Sequence, residues 1–327
     1  MSFKAAVIGG GIISRNHLDA INLMPEIDAV AVADPNLSKR TALAEEYGIN
    51  AYADYREMVR QEKPDIVVIA VPHFLHKECA IWCCGEGCHL LLEKPMALNV
   101  RECDDIIEAA SRAGVTLLVG HTQHYLPANI QAKKLVAGRE LGELIAIQDT
   151  RHLHYYKEDR PAWFFEKAKS GGGIMMNLGA HSIDKIQFIT GSRVARVHAA
   201  LSYSGPRGDV EGSGMVFLRT SNGLPATIVQ SGYEGVSGDT TDLIFTQGMA
   251  RLISGKGLWI SRHGQYEPYN PGEQEEEDPF VLQFRDLLEG IRTGQEPESS
   301  GAYARSVIAA IEAIYASDAQ GGEQFLE

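Results

Sequence analysis

The chain has 327 residues, of which 44% are hydrophobic and 22% charged, as in an ordinary globular protein of about two domains. Its formal net charge of −13 argues against nucleic acid as the main partner, because binding a phosphate backbone needs a basic face. No run of about 18 apolar residues occurs, so no membrane span is predicted. Met1 to Lys4 lead directly into a strand-like segment without a signal-peptide pattern, which predicts a cytoplasmic location.

Short apolar strands alternate with helices through the first third of the chain. The strands are predicted at 3–8, 29–33, 65–71, 89–92 and 115–119, and the helices at 12–24, 38–47, 55–62, 76–85 and 100–113. This alternation is typical of a parallel sheet covered by helices on both faces. We therefore predict an α/β protein whose first domain, residues 1–121, is a doubly wound parallel sheet.

The rhythm changes after Gly120, where strand-like runs begin to follow one another with Gly and Asn at their turns. Strands are predicted at 144–154, 194–203, 215–220, 226–233, 242–247, 250–254 and 258–262, and helices at 128–137, 174–189, 280–292 and 302–319. We expect residues 122–327 to form an α+β domain on a large, mainly antiparallel open sheet, with C-terminal helices able to pack back on the first domain. The acidic segment from Glu273 to Asp278 is expected to be solvated.

Four of the five cysteines lie in one predicted helix and its end, at Cys79, Cys83, Cys84 and Cys88. Each pair four residues apart shares a helix face, but the two pairs point in different directions. A zinc site needs four converging ligands, so we predict no metal site and expect buried thiols. A role for the cluster stays open.

A glycine-rich turn joins the first strand to the first helix. Gly9 to Ser14 is close to the dinucleotide pattern G-x-G-x-x-G, with Ser14 in the third glycine position. The first glycine, Gly9, permits the tight turn, and Gly11 lets a pyrophosphate approach the backbone at the helix N-terminus. With Ile12 and Ile13, these residues are predicted to bind a dinucleotide.

The second strand ends in an acidic residue, Asp34, at the position expected to contact a ribose hydroxyl. A carboxylate there favours NAD, because it repels the 2′-phosphate of NADP. The nearby cations Lys39 and Arg40 leave NADP possible.

The segment Glu93-Lys94-Pro95 follows an apolar strand, which is an unusual place for an acid and a base. Lys and Glu are rarely fully buried unless they are paired. An X-Pro bond is also where a cis peptide costs least. We expect Pro95 to fix a corner that directs Lys94 towards a ligand.

These motifs together resemble the Gfo/Idh/MocA oxidoreductase family, which includes glucose–fructose oxidoreductase and inositol dehydrogenase. The resemblance runs through the chain in order, at Gly9 to His17, Val71-Pro72-His73 with His76, Glu93-Lys94-Pro95, Gly171 to Gly173, and Asn177 to Asp184. It implies a Rossmann domain followed by a substrate-binding domain.

The resemblance also implies roles for individual residues. Lys94 matches the lysine beside the nicotinamide, and His181 matches the histidine usually assigned as acid/base. Asn177 stands where many members have aspartate, and an amide holds a hydroxyl but takes no proton. We therefore expect proton transfer to rest on His181. His124 stands where relatives often have arginine, so the substrate preference is open.

The predicted site residues fall into three groups. The catalytic residues are Lys94 and His181. The cofactor-binding residues are Gly9, Gly11, Ile12, Ile13, Asp34, Val71, Pro72, His76, Glu93 and Lys94. The substrate-binding residues are Lys94, His124, His154, Trp163, Asn177 and His181. Asn177, His181 and Asp184 are spaced to share one helix face, and the run from Gly171 to Gly173 is expected to let the chain pass close to a ligand.

The leading hypothesis is an NAD(P)-dependent dehydrogenase that transfers a hydride between a nicotinamide and a hydroxyl or carbonyl of a sugar, cyclitol or related polyol. Two alternatives stay open: a glycosidase-type hydrolase that uses bound NAD transiently, and a non-catalytic nucleotide-binding regulator. The expected partners are a small sugar or polyol and further copies of the chain, in a homodimer or homotetramer formed through the C-terminal sheet.

Overall fold

The computed structural model describes residues 2–269 and 277–326. Its contacts divide the chain into two compact units, one of Met1–Thr122 with Glu277–Arg305 and one of Gln123–Glu276 with Ser306–Glu327. Residues 273–276 of the acidic segment lie outside the described residues. Its last residue, Asp278, accepts hydrogen bonds from the amides of Phe280 and Val281 and so caps a helix.

The first unit is built on six parallel strands in the order β3-β2-β1-β4-β5-β6. The strands are β1 (Phe3–Ile8), β2 (Ile27–Ala33), β3 (Asn50–Tyr52), β4 (Ile66–Ile69), β5 (His89–Leu92) and β6 (Leu117–Val119). The order reverses between β1 and β4, and ligands of such sheets bind outside the carboxyl ends of the strands at that point. The predicted doubly wound parallel sheet is confirmed.

Helices cover this sheet, and the central strands are buried on both faces. The helices are α1 (Ile12–Asn22), α2 (Leu37–Tyr47), α3 (Tyr55–Glu62), α4 (His76–Gly85), α5 (Val100–Ala113) and α9 (Pro279–Thr293). All of β4 is buried, which explains its continuous Ile-Val-Val-Ile sequence. Phe284 of α9 joins the same core as Leu18 and Ile21 of α1.

The second unit is built on nine strands in the order β14-β13-β12-β11-β7-β10-β9-β8-β15. The strands are β7 (Leu144–His152), β8 (Val194–Ser202), β9 (Ser213–Thr220), β10 (Pro225–Ser231), β11 (Gly238–Phe245), β12 (Gly248–Ile253), β13 (Gly257–Ser261), β14 (Glu267–Pro268) and β15 (Gln324–Phe325). Only β7 and β10 pair in parallel within this described sheet. The prediction of a large, mainly antiparallel sheet is confirmed.

One face of this sheet is covered by a buried helix. The further helices of the chain are α6 (Pro127–Gly138), α7 (Lys167–Ser170), α8 (Ala180–Thr190) and α10 (Gly301–Gln320). On α8, Lys185 forms ion pairs with Asp149 of β7 and Asp239 of β11 at 3.1 and 3.2 Å. Ser182 of α8 also donates to Asp149. These buried polar contacts fix how α8 lies on the sheet.

The segment before α8 differs from the continuous helix predicted over 174–189. Met175–Gly179 forms a π-helical turn, and the α-helix begins only at Ala180. A π turn inserts an extra residue, so the simple four-residue spacing of an α-helix does not apply across it. Within the described ranges, the structure has no helix long and apolar enough to cross a membrane.

Candidate functional site

The turn after β1 requires glycine at its first position. Gly9 has a φ of +109°, and a Cβ there would lie 2.2 Å from the carbonyl oxygen of Ala70, just beyond β4. The hydroxyl of Ser14 donates to the Gly9 carbonyl at 2.8 Å, which ties the turn to α1. Ser14 therefore fits the third position of the pattern by hydrogen bonding as well as by its small size.

The N-terminus of α1 is open to a ligand. Gly11 is its N-cap, and among the described residues no side chain caps the helix. A Cβ at Gly11 would meet no described atom within 4 Å. Ile12, the first helical residue, is 87% exposed. Uncapped amides beside open space fit the pyrophosphate of a dinucleotide, and the helix dipole favours that anion.

Asp34 lies beside this turn at the end of β2. Its Oδ2 accepts a hydrogen bond from the amide of Gly10 at 2.7 Å, and its Oδ1 accepts one from Asn36 at 2.7 Å. Arg40 donates to the carbonyls of Asp34 and Pro35 at 3.1 and 3.0 Å. The predicted contact of Asp34 with a ribose stays a prediction.

The carboxylate of Glu93 organises the corner after β5. Its Oε1 lies 2.8 Å from Nε2 of His17, and its Oε2 accepts the Lys94 amide at 3.1 Å. Burial opposes ionisation of Glu93, but the hydrogen bond and charge of His17, with help from Lys94, hold the pKa of that carboxyl below its usual value. The Lys94 side chain is half-buried.

His76 holds the other end of the same corner. The Lys94–Pro95 peptide is cis. Nδ1 of His76 lies 2.9 Å from the Pro95 carbonyl, and Nε2 lies 2.9 Å from the Val71 carbonyl. The ring is fully buried, and burial lowers its pKa. His76 therefore contacts the site through the backbone carbonyls of Val71 and Pro95. Val71 and Pro72 themselves are half-buried. The cofactor contacts predicted for these three residues stay predictions.

In the second unit, His181 is the second residue of α8, just after the π turn, and is half-buried. Asn177 lies within the turn, and its side chain shares a hydrogen bond with the hydroxyl of Tyr155. Burial raises the pKa of Tyr155 to about 12, so this hydroxyl is protonated at neutral pH. The guanidinium of Arg160 lies 4.2 Å from the Tyr155 ring centre.

His124 and Asp184 form a buried pair. Nε2 of His124 lies 2.8 Å from Oδ1 of Asp184, and the two residues are 3% and 0% exposed. The His124 ring stacks on Phe188 with centres 4.4 Å apart. Asp184 therefore points to the interior of the unit rather than sharing an accessible face with His181. The substrate contact predicted for His124 stays a prediction.

The second glycine run is packed against the protein itself. A Cβ at Gly172 would lie 1.9 Å from the hydroxyl oxygen of Tyr315, and one at Gly173 would lie 2.0 Å from the carbonyl oxygen of Glu211. Gly172 and Gly173 therefore approach Tyr315 and Glu211 closely, and the close approach to a ligand that was expected from the sequence stays a prediction.

Glu211 caps the segment that carries Asn177. Its carboxylate accepts hydrogen bonds from the amides of Gly173 and Met175 and from the Tyr315 hydroxyl, at 2.8–3.0 Å. Burial raises the pKa of Glu211 despite these donors. No sequence signal identified this residue, because its partners are distant in the chain.

Two further predicted side chains lie in the segment between β7 and α7. His154 and Trp163 are both half-buried, and Trp163 stacks on Phe164 with ring centres 3.7 Å apart. The substrate contacts predicted for both stay predictions.

The cysteines are all free and buried. Burial raises the pKa of the Cys79, Cys84 and Cys88 thiols to about 11, which makes them poor nucleophiles at neutral pH. Within the part of the chain that the structure describes, no group of three or more His, Cys, Asp or Glu residues could hold a metal ion.

Two relatives and one solved structure illustrate what the chain is similar to. It is 28% identical to 2,7-anhydro-N-acetylneuraminate hydratase of Escherichia coli over 61% of this chain and 54% of the relative. It is 29% identical to D-glucoside 3-dehydrogenase of the same organism over 58% and 54%. The fold matches the crystal structure of aldose-aldose oxidoreductase from Caulobacter crescentus complexed with glycerol, with a TM-score of 0.91, 25% identity, and all of both chains covered. The chain spans little more than half the length of these two curated relatives.

Family models match both parts of the chain. Residues 3–121 match the model of the oxidoreductase family with an NAD-binding Rossmann fold, and residues 129–251 match the GFO/IDH/MocA C-terminal domain. The glycine turn, the open N-terminus of α1 and the Lys94 corner all lie within the first match. The chain therefore belongs to the Gfo/Idh/MocA family of oxidoreductases and carries its NAD-binding domain.

Proposed function

We propose that the chain is an NAD-dependent dehydrogenase that acts on a CH–OH group of a sugar, cyclitol or related polyol. The observation that carries this proposal is the place of Lys94. It follows β5, at the same carboxyl edge of the parallel sheet where the glycine turn follows β1. An ammonium group therefore stands at the edge where a sheet of this order binds a dinucleotide. The names of the sugar-acting relatives support the substrate class.

In the mechanism that we propose, the chain supplies binding, orientation and proton transfer. Bound NAD supplies the acceptor for the hydride. The amides at Gly11 and the start of α1 hold the pyrophosphate, and Lys94 stabilises negative charge on the reacting oxygen. The imidazole of His181 takes the hydroxyl proton as a general base. Asn177 holds a hydroxyl by hydrogen bonding, since its amide cannot accept the proton.

The test is the absorbance of reduced nicotinamide when the chain and NAD meet a panel of aldoses, glucosides, inositols and anhydrosugars. We expect turnover with at least one of them. Lys94→Ala and His181→Ala should each lower kcat by about 10²- to 10⁴-fold, while NAD binding by calorimetry is kept. Full activity in Lys94→Ala would contradict the proposal.

A second candidate is a redox-neutral enzyme that keeps its cofactor, such as a hydratase or a glycosidase-type hydrolase. The similarity to a hydratase of an anhydro sugar favours it. Such an enzyme would convert the sugar without net formation of reduced nicotinamide, so chromatography of the same reactions separates the two functions. NAD binding with no conversion of any sugar would instead favour a regulator.

We also propose that NAD is preferred over NADP. Asp34 places a carboxylate beside the glycine turn, where a 2′-phosphate would be repelled. Arg40 donates hydrogen bonds to two backbone carbonyls, which occupies part of its guanidinium. Titrations with both cofactors measure the preference. Tighter binding of NADP would contradict it.

The open face of the second sheet is proposed to pack on a second copy of the chain, giving a homodimer or homotetramer. On β9, Met215 and Phe217 are 65% and 40% exposed and lie opposite Ala200 and His198 of β8. Neighbouring apolar side chains of this kind favour association. Light scattering should show a dimer or tetramer that Phe217→Glu weakens. A monomer at working concentration would contradict this proposal.

A cytoplasmic location is proposed as well. It is supported by the five free thiols, because oxidising compartments favour disulfides. Fractionation of the native cells is the test, and recovery with the membrane or the exported fraction would contradict it.

A further inference from the structure

We propose that His17 is a positioning residue, which sets the direction of Lys94 through the carboxylate of Glu93. This inference rests on the proposed role of Lys94 in the reaction. It adds a residue that lies within α1 and contacts the corner through the side chain of Glu93.

The hydrogen bonds form a continuous path from α1 to the lysine. Nε2 of His17 lies 2.8 Å from Oε1 of Glu93, and the other carboxylate oxygen accepts the amide of Lys94 at 3.1 Å. Both oxygens are therefore used, one by the helix and one by the corner. Because the carboxylate is planar, fixing one oxygen also fixes the direction of the other.

The His17 ring is itself held in one orientation. It is fully buried and meets the rings of Phe280 and Phe284 edge-on, with centres 5.1 and 5.8 Å apart. Within the described ranges, its Nδ1 has no hydrogen-bond partner. The hydrogen bond of this ring is therefore made with Glu93. Burial of a polar ring without such a bond would cost free energy.

Gly120 lies close to the carboxylate of Glu93. A Cβ at Gly120 would lie 3.1 Å from Oε1 of Glu93, so the absence of a side chain there makes space for the acid. On the far side of Lys94, His76 holds the carbonyl of Pro95. Lys94 thus stands between two anchored neighbours, Glu93 and Pro95.

His17 also relates the corner to the nucleotide turn. It lies on the same helix whose N-terminus begins after Gly11, and Ser14 ties that helix to Gly9. The element proposed to hold the pyrophosphate is therefore the element that orients Glu93. Accurate placement of a reacting group is worth a large factor in rate, since an error of about 1 Å costs on the order of 10²-fold.

Three substitutions separate positioning from simple packing. His17→Leu keeps an apolar side chain against the two phenylalanines but removes the hydrogen bond to Glu93. His17→Gln and His17→Asn are a matched pair of amides, in which the Gln amide reaches the place of Nε2 and the Asn amide reaches only that of Nδ1. We expect kcat to fall by about 10²-fold in the Leu and Asn variants and to recover in the Gln variant, with KM for NAD changed less than threefold.

A spectroscopic measurement tests the same idea without a substrate. The lysine side chains are reductively methylated with ¹³C-labelled methyl groups and observed by NMR. The Lys94 methyl signal is identified by its loss in Lys94→Ala. It should shift in His17→Leu and His17→Asn and return towards the wild-type position in His17→Gln. If His17→Leu does not fold, the two amide variants decide. An unchanged Lys94 signal and unchanged kcat in His17→Asn, with the fold kept, would overturn the inference.

The two failures are distinguishable. If Lys94→Ala keeps full activity, the proposed function is wrong. If Lys94→Ala is inactive while His17→Asn matches the wild type in rate and in the Lys94 signal, only the positioning role of His17 is wrong.

Discussion

The two glycine runs of the chain look alike in sequence and differ in what surrounds them. Gly11 in the first unit faces open space at a helix N-terminus. Gly172 and Gly173 in the second unit face Tyr315 and Glu211 at distances that exclude any Cβ. The first run leaves room for a ligand, whereas the second leaves room for the protein's own atoms.

The difference shows that a glycine run does not by itself mark a ligand site. Even within the first run the reasons differ, because Gly9 is required by its positive φ and by the nearby Ala70 carbonyl. Of the three glycines in this run, only Gly11 has space for a Cβ among the described atoms. Substitutions can therefore separate the glycines that the fold requires from Gly11, which is proposed to serve binding.

The largest effect is expected from Gly173→Ala. The new methyl group would meet the carbonyl oxygen of Glu211, which cannot move without disturbing the hydrogen bond that it accepts from the Ile174 amide at 3.1 Å. Overpacking of this kind should lower the free energy of unfolding by about 3 kcal/mol, measured by urea denaturation. Gly85→Ala is the control, because a Cβ there meets no described atom within 4 Å and the helix favours alanine. Equal free energies of unfolding for Gly173→Ala and Gly85→Ala would contradict the close packing at Gly173.

Gly11→Ala should show the opposite pattern. The substitution changes an N-cap, which costs stability no more than about 1 kcal/mol, since alanine is a poorer cap than glycine. NAD affinity should fall by about 10- to 100-fold, because the methyl group occupies the approach to the pyrophosphate. Calorimetry with NAD measures this loss. Unchanged NAD affinity in Gly11→Ala would contradict the idea that the first glycine run faces the ligand while the second faces the protein.

A smaller effect is expected from Tyr315→Phe. It removes one hydrogen bond to the buried carboxylate of Glu211 and leaves the two backbone amides in place. The free energy of unfolding should fall by about 1 kcal/mol, with NAD affinity unchanged. A loss of NAD affinity without a loss of stability would instead place this tyrosine in a ligand site.

The two buried glutamates should give stability profiles of opposite slope with pH. The pKa of Glu211 is raised by burial, so its contribution is present below the unfolded value of about 4.3 and is lost as pH rises through the folded pKa. The pKa of Glu93 is lowered by His17 against burial, so its contribution is present above that value and is lost as pH falls. The free energy of unfolding is measured across pH for the wild type, Glu211→Gln and Glu93→Gln. The difference between the wild type and each variant gives the contribution of that glutamate. Slopes of the same sign would contradict this assignment.

Sequence patterns predicted the parts of the fold that rest on local signals. The central strands of the first sheet were found because they are continuous apolar runs, and α4 and α5 were found with their observed bounds. The short strands β3, β14 and β15 were missed because two or three residues carry no usable pattern. The parallel pairing of β7 with β10 was also missed, since it joins strands that are distant in the chain.

In the candidate site, motifs predicted where Gly11 and Lys94 lie, at the start of α1 and after β5, while the roles of both residues stay predictions. Its supporting residues were not predictable. Glu211 and the pairing of His17 with Glu93 depend on contacts between residues far apart in sequence. The π turn before α8 shifts Asn177 relative to His181 and Asp184, because a helical wheel assumes an unbroken α-helix.

The most direct test of the central claim is isotope transfer. The most active sugar of the panel, deuterated at the carbon that is oxidised, is mixed with the chain and NAD, and the free reduced nicotinamide is analysed by mass spectrometry. We predict deuterium in that nicotinamide in amounts equal to the oxidised sugar, and its formation about 10²- to 10⁴-fold slower with Lys94→Ala. Consumption of the sugar without deuterium in free reduced nicotinamide would contradict a dehydrogenase.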